Sequence, residues 1–258
     1  MNDVLLAECM DDSSITLLAG SLQCDSFSNL KSSKLKEANR ANGTPGDAEL
    51  FYPLLKLIER TSPAVVFIEN VPAFLNSEIG GAFKAILNRT GYYVSQAVLN
   101  GADFGTRCSR PRGFLVASVW PGFVFPEATG RADGTLFDFL GEAIMQDCRD
   151  ITDSGIVRRA IAKKRMRVVD ETKATAPVFP KSQARVDDRV LFSRGGRIFD
   201  PSISAMRKVH GLPASFKLDH LPKDLQVEQI GQGVDYYLLS LLANAIGRHV
   251  NGSLQMLI

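Results

Sequence analysis

Ser62-Pro-Ala-Val-Val-Phe-Ile-Glu-Asn-Val-Pro-Ala-Phe74 is a buried-looking apolar run that ends abruptly in a carboxylate, an amide and a proline. Val65 to Ile68 are β-branched or aromatic and predict a strand buried on both faces of a parallel sheet. In such sheets ligands bind at the carboxyl ends of the strands, and Glu69 stands at that end. A loop glutamate after a core strand is the competing reading of the same stretch.

Upstream, Ile15-Thr-Leu-Leu-Ala19 predicts another short buried strand, running into Gly20-Ser-Leu-Gln-Cys-Asp-Ser-Phe-Ser28. A thiol in a polar loop just past a strand is placed as a reactive cysteine should be, although a lone cysteine such as Cys24 is more often structural. Asn29 to Asp47 is polar and lacks apolar periodicity, and its length suits a lid or binding loop. Leu50, Phe51, Leu54, Leu55 and Ile58 then recur at helical spacing until Thr61-Ser-Pro stops them. The unit is strand, helix, strand. A right-handed crossover brings both strand ends to one sheet edge, so Cys24 and Glu69 are expected to face one pocket.

Downstream, a helix is predicted from about Ile79 to Thr90 and strands over Gly91 to Leu99 and Gly113 to Val119. Between those strands Arg110 and Arg112 stand one residue apart and point the same way if extended, or else belong to a solvated turn. Past Trp120-Pro-Gly the chain becomes Pro-, Gly- and charge-rich, with little periodicity until about Pro201. Within it Arg158-Arg-Ala-Ile-Ala-Lys-Lys-Arg-Met-Arg167 is the densest basic run. It suits phosphate contacts, or a solvated helix face. Ile203 to Phe216 predicts a short helix and turn, and Gln229-Ile-Gly-Gln-Gly-Val234 precedes an apolar helix over Tyr236 to Val250, with Leu238, Leu242, Ala245 and Ile246 on one face. Gly231 and Gly233 would allow a ligand close to the backbone before that helix. The domains are placed at 1–119, 120–225 and 226–258, the last a helix returning to the first.

The composition, 258 residues with 45% hydrophobic, 22% charged and a net charge of +2, is that of a soluble globular protein, and any basic surface must be local. Cys9, Cys24, Cys108 and Cys148 form no CxxC pair and no metal-like cluster with His210, His220 or His249, so no metal site is expected and the thiols read as reduced. No apolar run reaches the roughly 18 residues of a membrane span, and the N-terminus lacks a signal peptide's basic start. The reading is an intracellular protein, cytoplasmic and nucleoid-associated if bacterial.

From about Leu17 to Val250 these segments resemble the cytosine-5 DNA methyltransferases. The family's Pro-Cys-Gln with Phe-Ser appears as Gln23-Cys24-Asp25 with Phe27-Ser28, its Glu-Asn-Val as Glu69-Asn70-Val71, its Gln-x-Arg-x-Arg as Cys108-Ser-Arg110-Pro-Arg112, and its Gln-Ile-Gly-Asn-Ala-Val as Gln229-Ile-Gly-Gln232-Gly233-Val. The resemblance implies an α/β, Rossmann-like sheet with a smaller target-recognition domain, acting on double-stranded DNA with S-adenosylmethionine as methyl donor. It makes Cys24 the nucleophile toward carbon 6 of a flipped cytosine and gives Glu69 a proton to hold against ring nitrogen 3. Arg110 or Arg112 would steady the base carbonyl and a phosphate. It places Leu50, Phe51, Gln232 and Gly233 near the methyl donor, and Ser28, Asn70, Arg158, Arg159, Lys163 and Lys164 on the DNA.

The departures are as specific. The family's glycine-rich Phe-x-Gly-x-Gly-Gly loop is missing ahead of the nucleophile strand, Gln23 stands for proline, Cys108 for glutamine, and Gln232-Gly-Val-Asp for the amide and proline run. Three readings result: the carboxyl-terminal subunit of a split methyltransferase or a fragment of a longer gene product, active when the missing half is supplied in trans, which is preferred; a non-catalytic DNA-binding relative; or a tRNA cytosine-5 methyltransferase.

Overall fold

The computed structural model of the chain describes residues 16–22, 50–181, 183 and 189–256. Cys24, Ser28 and the loop to Asp47 lie outside those residues. The chain divides into two compact units, Met1–Leu99 with Pro111–Phe125 and Ala245–Ile258, and Asn100–Arg110 with Pro126–Asn244. The crossings fall at 99/100, 110/111, 125/126 and 244/245, whereas the sequence reading sets them at 119/120 and 225/226.

In chain order the first unit holds β1 (Leu17–Ser21), α1 (Phe51–Thr61), β2 (Val65–Asn70), α2 (Pro72–Leu75), α3 (Glu78–Arg89) and β3 (Tyr93–Asn100); after the short β4 (Cys108–Ser109) of the second unit comes β5 (Pro111–Ser118). Four strands form one sheet in the order β1-β2-β5-β3. β1 runs parallel to β2 from Leu17↔Val65 to Ser21↔Glu69, and β5 runs antiparallel to β2 from Val65↔Ser118 to Asn70↔Gly113. The sheet is therefore mixed, not purely parallel. Every residue of β2 is buried, as its apolar run predicts, because it has a strand on each side. The apolar run of β1 predicts a buried strand as well, but β1 is the end strand among the described residues, and its positions alternate between exposed and half-buried.

Local sequence explains where the elements stop. α1 buries Phe51, Leu54, Leu57 and Ile58, then Ser62 takes a left-handed φ of 43° and its amide bonds to the Ile58 carbonyl, after which Pro63 has no N–H to extend the helix. α2, missed by periodicity because it has only one turn, starts on Pro72, whose ring is preset for a first helical position. Ser77 caps α3 by accepting from the Gly80 amide at 3.0 Å. Beneath the sheet Phe51 stacks on Phe74 at 4.7 Å and meets Phe83 edge-on at 5.3 Å, packed with Leu54, Ile68 and Leu115. Each such buried ring contributes roughly 1.5–3 kcal/mol.

The second unit continues with α4 (Leu136–Leu140), α5 (Glu142–Gln146), β6 (Arg149–Asp150), α6 (Gly155–Ala162), β7 (Arg167–Val169), β8 (Ala176–Pro177), β9 (Val190–Arg194), β10 (Arg197–Asp200), α7 (Ile203–Val209), α8 (Lys223–Gln232) and α9 (Tyr236–Gln255), whose residues from 245 count with the first unit. Its sheet has the order β6-β10-β9-β7, and β4 pairs with β8. The stretch before Pro201 thus holds regular structure that its composition hides. The signal was there: Gly195 and Gly196, both at positive φ, join β9 to β10 in the two-residue turn that a Gly-Gly pair between apolar runs favours. A separate core of Leu136, Leu140, Phe179, Phe192, Met206 and Ile230 fills this unit, with Phe137 edge-on to Phe192.

Gly231 lies inside α8 and not in a loop before α9. A Cβ there would stand 2.7 Å from the Lys181 amide nitrogen and 2.8 Å from the Pro180 carbonyl. The close approach the sequence reading reserved for a ligand is made by the protein's own backbone. Gly231→Ala is expected to cost about 1–3 kcal/mol by overpacking, whereas Gly247→Ala, with nothing within 4 Å of its new Cβ in α9, is expected to stabilise by about 0.5–1 kcal/mol. Urea unfolding of both variants checks the contrast, and equal effects would refute it.

Candidate active site

Parallel pairing of β1 with β2 sets Ser21 directly beside Glu69. The Ser21 hydroxyl donates to Glu69 Oε2 at 2.5 Å, and Arg112 Nε lies 3.0 Å from Glu69 Oε1. Both carboxylate oxygens are thus held, with the residue 7% exposed. A buried carboxylate is tolerated only when paired and hydrogen-bonded, and here both conditions are met. The next residue, Asn70, is also buried: its Nδ2 donates to the Leu22 carbonyl at 3.3 Å and its Oδ1 accepts from the Val71 amide at 2.8 Å. Consecutive side chains of β2 therefore grip consecutive residues at the end of β1, and the chain leaves that grip toward Cys24.

Arg112 pairs with Glu69 in the first unit, while Arg110 is buried in the second, its Nη2 donating to the Gln232 carbonyl at 3.1 Å and its amide to Asn100 Oδ1 at 2.8 Å. Neither is part of a solvated turn. Asn100 closes the segment from 100 to 110, since its Oδ1 also accepts from the Ala102 amide and its Nδ2 donates to Ser109. Cys108, wholly buried, places its Sγ 3.8 Å from His210 Nε2. Cys108 and Cys148 form no disulfide, and burial first of all pushes the Cys148 thiol up.

The densest basic run forms α6 and the turn after it. Val157 and Ala160 pack inward on Met166 and Leu191, leaving Arg158, Arg159, Lys163 and Lys164 exposed. Asp153 pairs with Arg158 at 2.9 Å, and the Arg159 Nε donates to the Gly155 carbonyl. Nearby, the Thr152 hydroxyl and amide, then Arg197, hold Asp150 down to about 2. Among the described residues no group of three or more His, Cys, Asp or Glu is gathered as a metal site needs, and no helix is long and apolar enough to cross a membrane.

The family model for C-5 cytosine-specific DNA methylase matches residues 7–173. The chain belongs to that family. The type II methyltransferase M.MspI of Moraxella sp is 36% identical over 76 residues, a match spanning 28% of this chain and 18% of that enzyme. M.Bsp6I of Bacillus sp., also a type II methyltransferase, is 40% identical over 60 residues, 22% of this chain and 19% of its own length. Against the type II methyltransferase M.HhaI of Haemophilus parahaemolyticus the match is longer, 24% identity over 261 residues, 91% of this chain and 76% of the other. Among solved structures, the Entamoeba histolytica methyltransferase EhMeth superposes with a TM-score of 0.72 at 18% identity, covering 91% of this chain and 78% of its own. The S. pombe Dnmt2 methyltransferase gives 0.68 at 15%, covering 92% and 79%. The fold is thus α/β and Rossmann-like, as the motif order implies.

The positions that the resemblance matches to the methyl donor differ in exposure. Phe51 is 3% exposed with its ring stacked in the core, and the Gln232 side chain donates to Glu228 at 2.9 Å on the exposed face of α8. Leu50, at the start of α1, is 37% exposed, and Gly233 caps α8 through its amide to the Gln229 carbonyl. The Phe51 ring and the Gln232 amide are thus both engaged within their own units. What motif matching did not flag are the residues holding the motifs in place: Ser21, Asn100 and Asp235. Only Ser21 had a usable signal, since aligning two parallel strands that end at Ser21 and Glu69 puts them side by side.

Asp235 is 1% exposed and caps α9, its Oδ1 accepting from the Leu238 amide at 2.9 Å. Burial pushes its carboxyl above the ordinary aspartate value, against the pull of the Leu238 amide, the Thr106 hydroxyl and the Tyr237 amide. The folded state therefore favours the neutral acid. That stability is complete below the unfolded value of about 3.9 and is lost as pH rises through the raised folded value. Asp235→Asn keeps an acceptor for the cap and carries no charge, so its stability relative to wild type is expected to improve as pH rises from 4 to 7. Denaturation across that range checks it, and a constant difference between the two proteins would sink it.

Proposed function

We propose that this chain takes part in transferring a methyl group to carbon 5 of cytosine in double-stranded DNA. The observation that carries the proposal is the doubly held Glu69 carboxylate at the end of β2, beside the strand whose chain continues to Cys24. S-adenosylmethionine supplies the methyl group when bound. Cytosine carbon 5 is a poor nucleophile until a group adds at carbon 6. In the proposal the Cys24 thiolate adds there, to a base flipped from the duplex because the stacked ring is out of reach. Glu69 holds a proton against ring nitrogen 3, so the ring stays neutral as electrons move into it. Once carbon 5 carries the methyl group, loss of its proton restores the ring double bond, breaks the Cys24–carbon 6 bond and frees the thiolate. Arg112 spends Nε on Glu69 and Nη1 on the Pro111 carbonyl, and turns Nη2 to the base carbonyl. Arg110, through the Gln232 carbonyl, steadies the turn between α8 and α9. Asn70 keeps the end of β1 in place.

Arg158, Arg159, Lys163 and Lys164 meet DNA phosphates, and the sheet of the second unit carries the residues that read base edges. Their exposure along α6 and the turn that follows it supports the phosphate role. The glycine-rich part of the donor site comes from a separate amino-terminal subunit or from another part of a longer gene product. The support for this is β1, an end strand among the described residues with Leu17 44% exposed.

The test is trapping on duplex DNA carrying 5-fluorocytosine, whose carbon 5 has no proton to lose, with S-adenosylmethionine and with or without a candidate amino-terminal half. A covalent adduct is expected with wild type and none with Cys24→Ser. An adduct that persists in Cys24→Ser would remove Cys24 as nucleophile, and none with wild type under either condition, with DNA binding intact, would favour a binding protein without catalysis. Glu69→Gln is expected to slow transfer by about a hundredfold or more. Neutralising Arg159, Lys163 and Lys164 should weaken DNA binding and flatten the plot of log affinity against log salt by about one unit for each phosphate no longer neutralised; an unaltered slope would make this a solvated face.

A further inference from the structure

The two groups that grip Glu69 differ in kind. A guanidinium only donates, so Arg112 on Oε1 favours the carboxylate whatever the reaction requires. A hydroxyl donates or accepts, and Ser21 meets Oε2, the oxygen Arg112 leaves. Protonating Oε1 would set a proton against the guanidinium N–H, so the proton that Glu69 presents to a base belongs on Oε2. We infer that Ser21 is a positioning residue for Glu69, an inference resting on the methyl-transfer reading above. Its hydroxyl donates to the carboxylate, accepts from Oε2 once that oxygen carries a proton, and turns back to donate when the proton is offered to ring nitrogen 3. The carboxyl group keeps one orientation throughout.

Geometry makes Ser21 the residue able to do this from β1. Neighbouring strands lie about 4.8 Å apart, and directly paired residues present their side chains on one face. Gly20 has no side chain to offer and pairs with Ile68, whereas Ser21 pairs with Glu69 itself. Without Ser21 a glutamate with three rotatable bonds would be held by Arg112 at one oxygen, free to swing the other out of line. Ser21 is exposed at the strand end, so the grip stands where a ligand can reach.

The experiment compares wild type, Ser21→Ala, Ser21→Thr, Glu69→Gln and the Ser21→Ala/Glu69→Gln double variant, in the full chain with whatever partner methylation requires. Ser21→Ala is expected to lower kcat about tenfold, the effect of losing one hydrogen bond to a charged group, with KM for DNA within about twofold. Ser21→Thr should restore it. In the Glu69→Gln background Ser21→Ala should add little, since the two act as one unit. Wild-type kcat in Ser21→Ala, or the same loss in both backgrounds, overturns the inference. A second readout needs no turnover: with glutamate labelled at its carboxyl carbon, the Glu69 resonance, assigned by its absence in Glu69→Gln, should move in Ser21→Ala and return in Ser21→Thr. A resonance indifferent to Ser21 also overturns the inference. A moved resonance in a wild type that transfers no methyl group supports the grip and counts against the reaction.

Discussion

Five parallel pairings between β1 and β2 are the constraint on which the candidate site depends. Register in a sheet is all or nothing, because a slip of one residue turns every side chain to the other face. Here the apolar burial of β2 sets the register: Val65, Val66 and Ile68 are at most 1% exposed, so the strand has little freedom to slide. Once it is fixed, Ser21 must lie beside Glu69, and Asn70 within reach of the Leu22 carbonyl. A carboxylate held on a strand end this way is placed more rigidly than one on a loop, which is what proton transfer to a defined ring atom requires.

The second constraint is closure of the segment from Asn100 to Arg110. One side chain, Asn100, takes the amides of Ala102 and Arg110 and touches Ser109, so the entry and exit of the segment are tied at one point. Gly101 makes this possible, since a Cβ there would stand 2.6 Å from the Thr106 hydroxyl and 3.2 Å from the Asp235 carboxyl carbon. Arg107 then reaches outward to the carbonyls of Gly134 and Ala174, with its guanidinium over the Phe139 ring. Such bonds are made to backbone carbonyls, which any sequence would offer, so a motif search has no way of seeing them.

What the sequence made legible follows from which forces leave a mark on it. Burial does: the apolar runs placed β2, β5, α1, α3 and α9 to within a few residues, and the helical spacing put Leu238, Leu242, Ala245 and Ile246 on the inward face, all at most 7% exposed. Short-range motifs do too, and the order of four of them sufficed to name the family. Elements of two to five residues, such as α2, β4 and β6, are too short to show a period. The direction of β5 could not be read from its composition, since antiparallel and parallel central strands are buried alike. Around 120–200 the helices and strands are short and separated by turns, so the local pattern looks structureless although Phe179 and Phe192 are wholly buried.

Gly231 in α8 and Phe51 in α1 show how folding draws on the same residue types as binding. A glycine, an aromatic ring and an amide are what ligands ask for, yet folding asks for the same properties. A glycine admits any close backbone, and here that backbone is Pro180–Lys181. An aromatic ring stacks on any flat apolar face, and Phe74 supplies one at 4.7 Å. Charged groups discriminate better, because a buried charge is costly unless paired. Glu69, 7% exposed and bonded at both oxygens, is such a case. A core of the same shape could be filled by apolar side chains at lower cost, so the sheet end has no packing reason to carry a glutamate and an arginine there. The expense of keeping them is what makes this pair the strongest candidate for chemistry among the described motif residues.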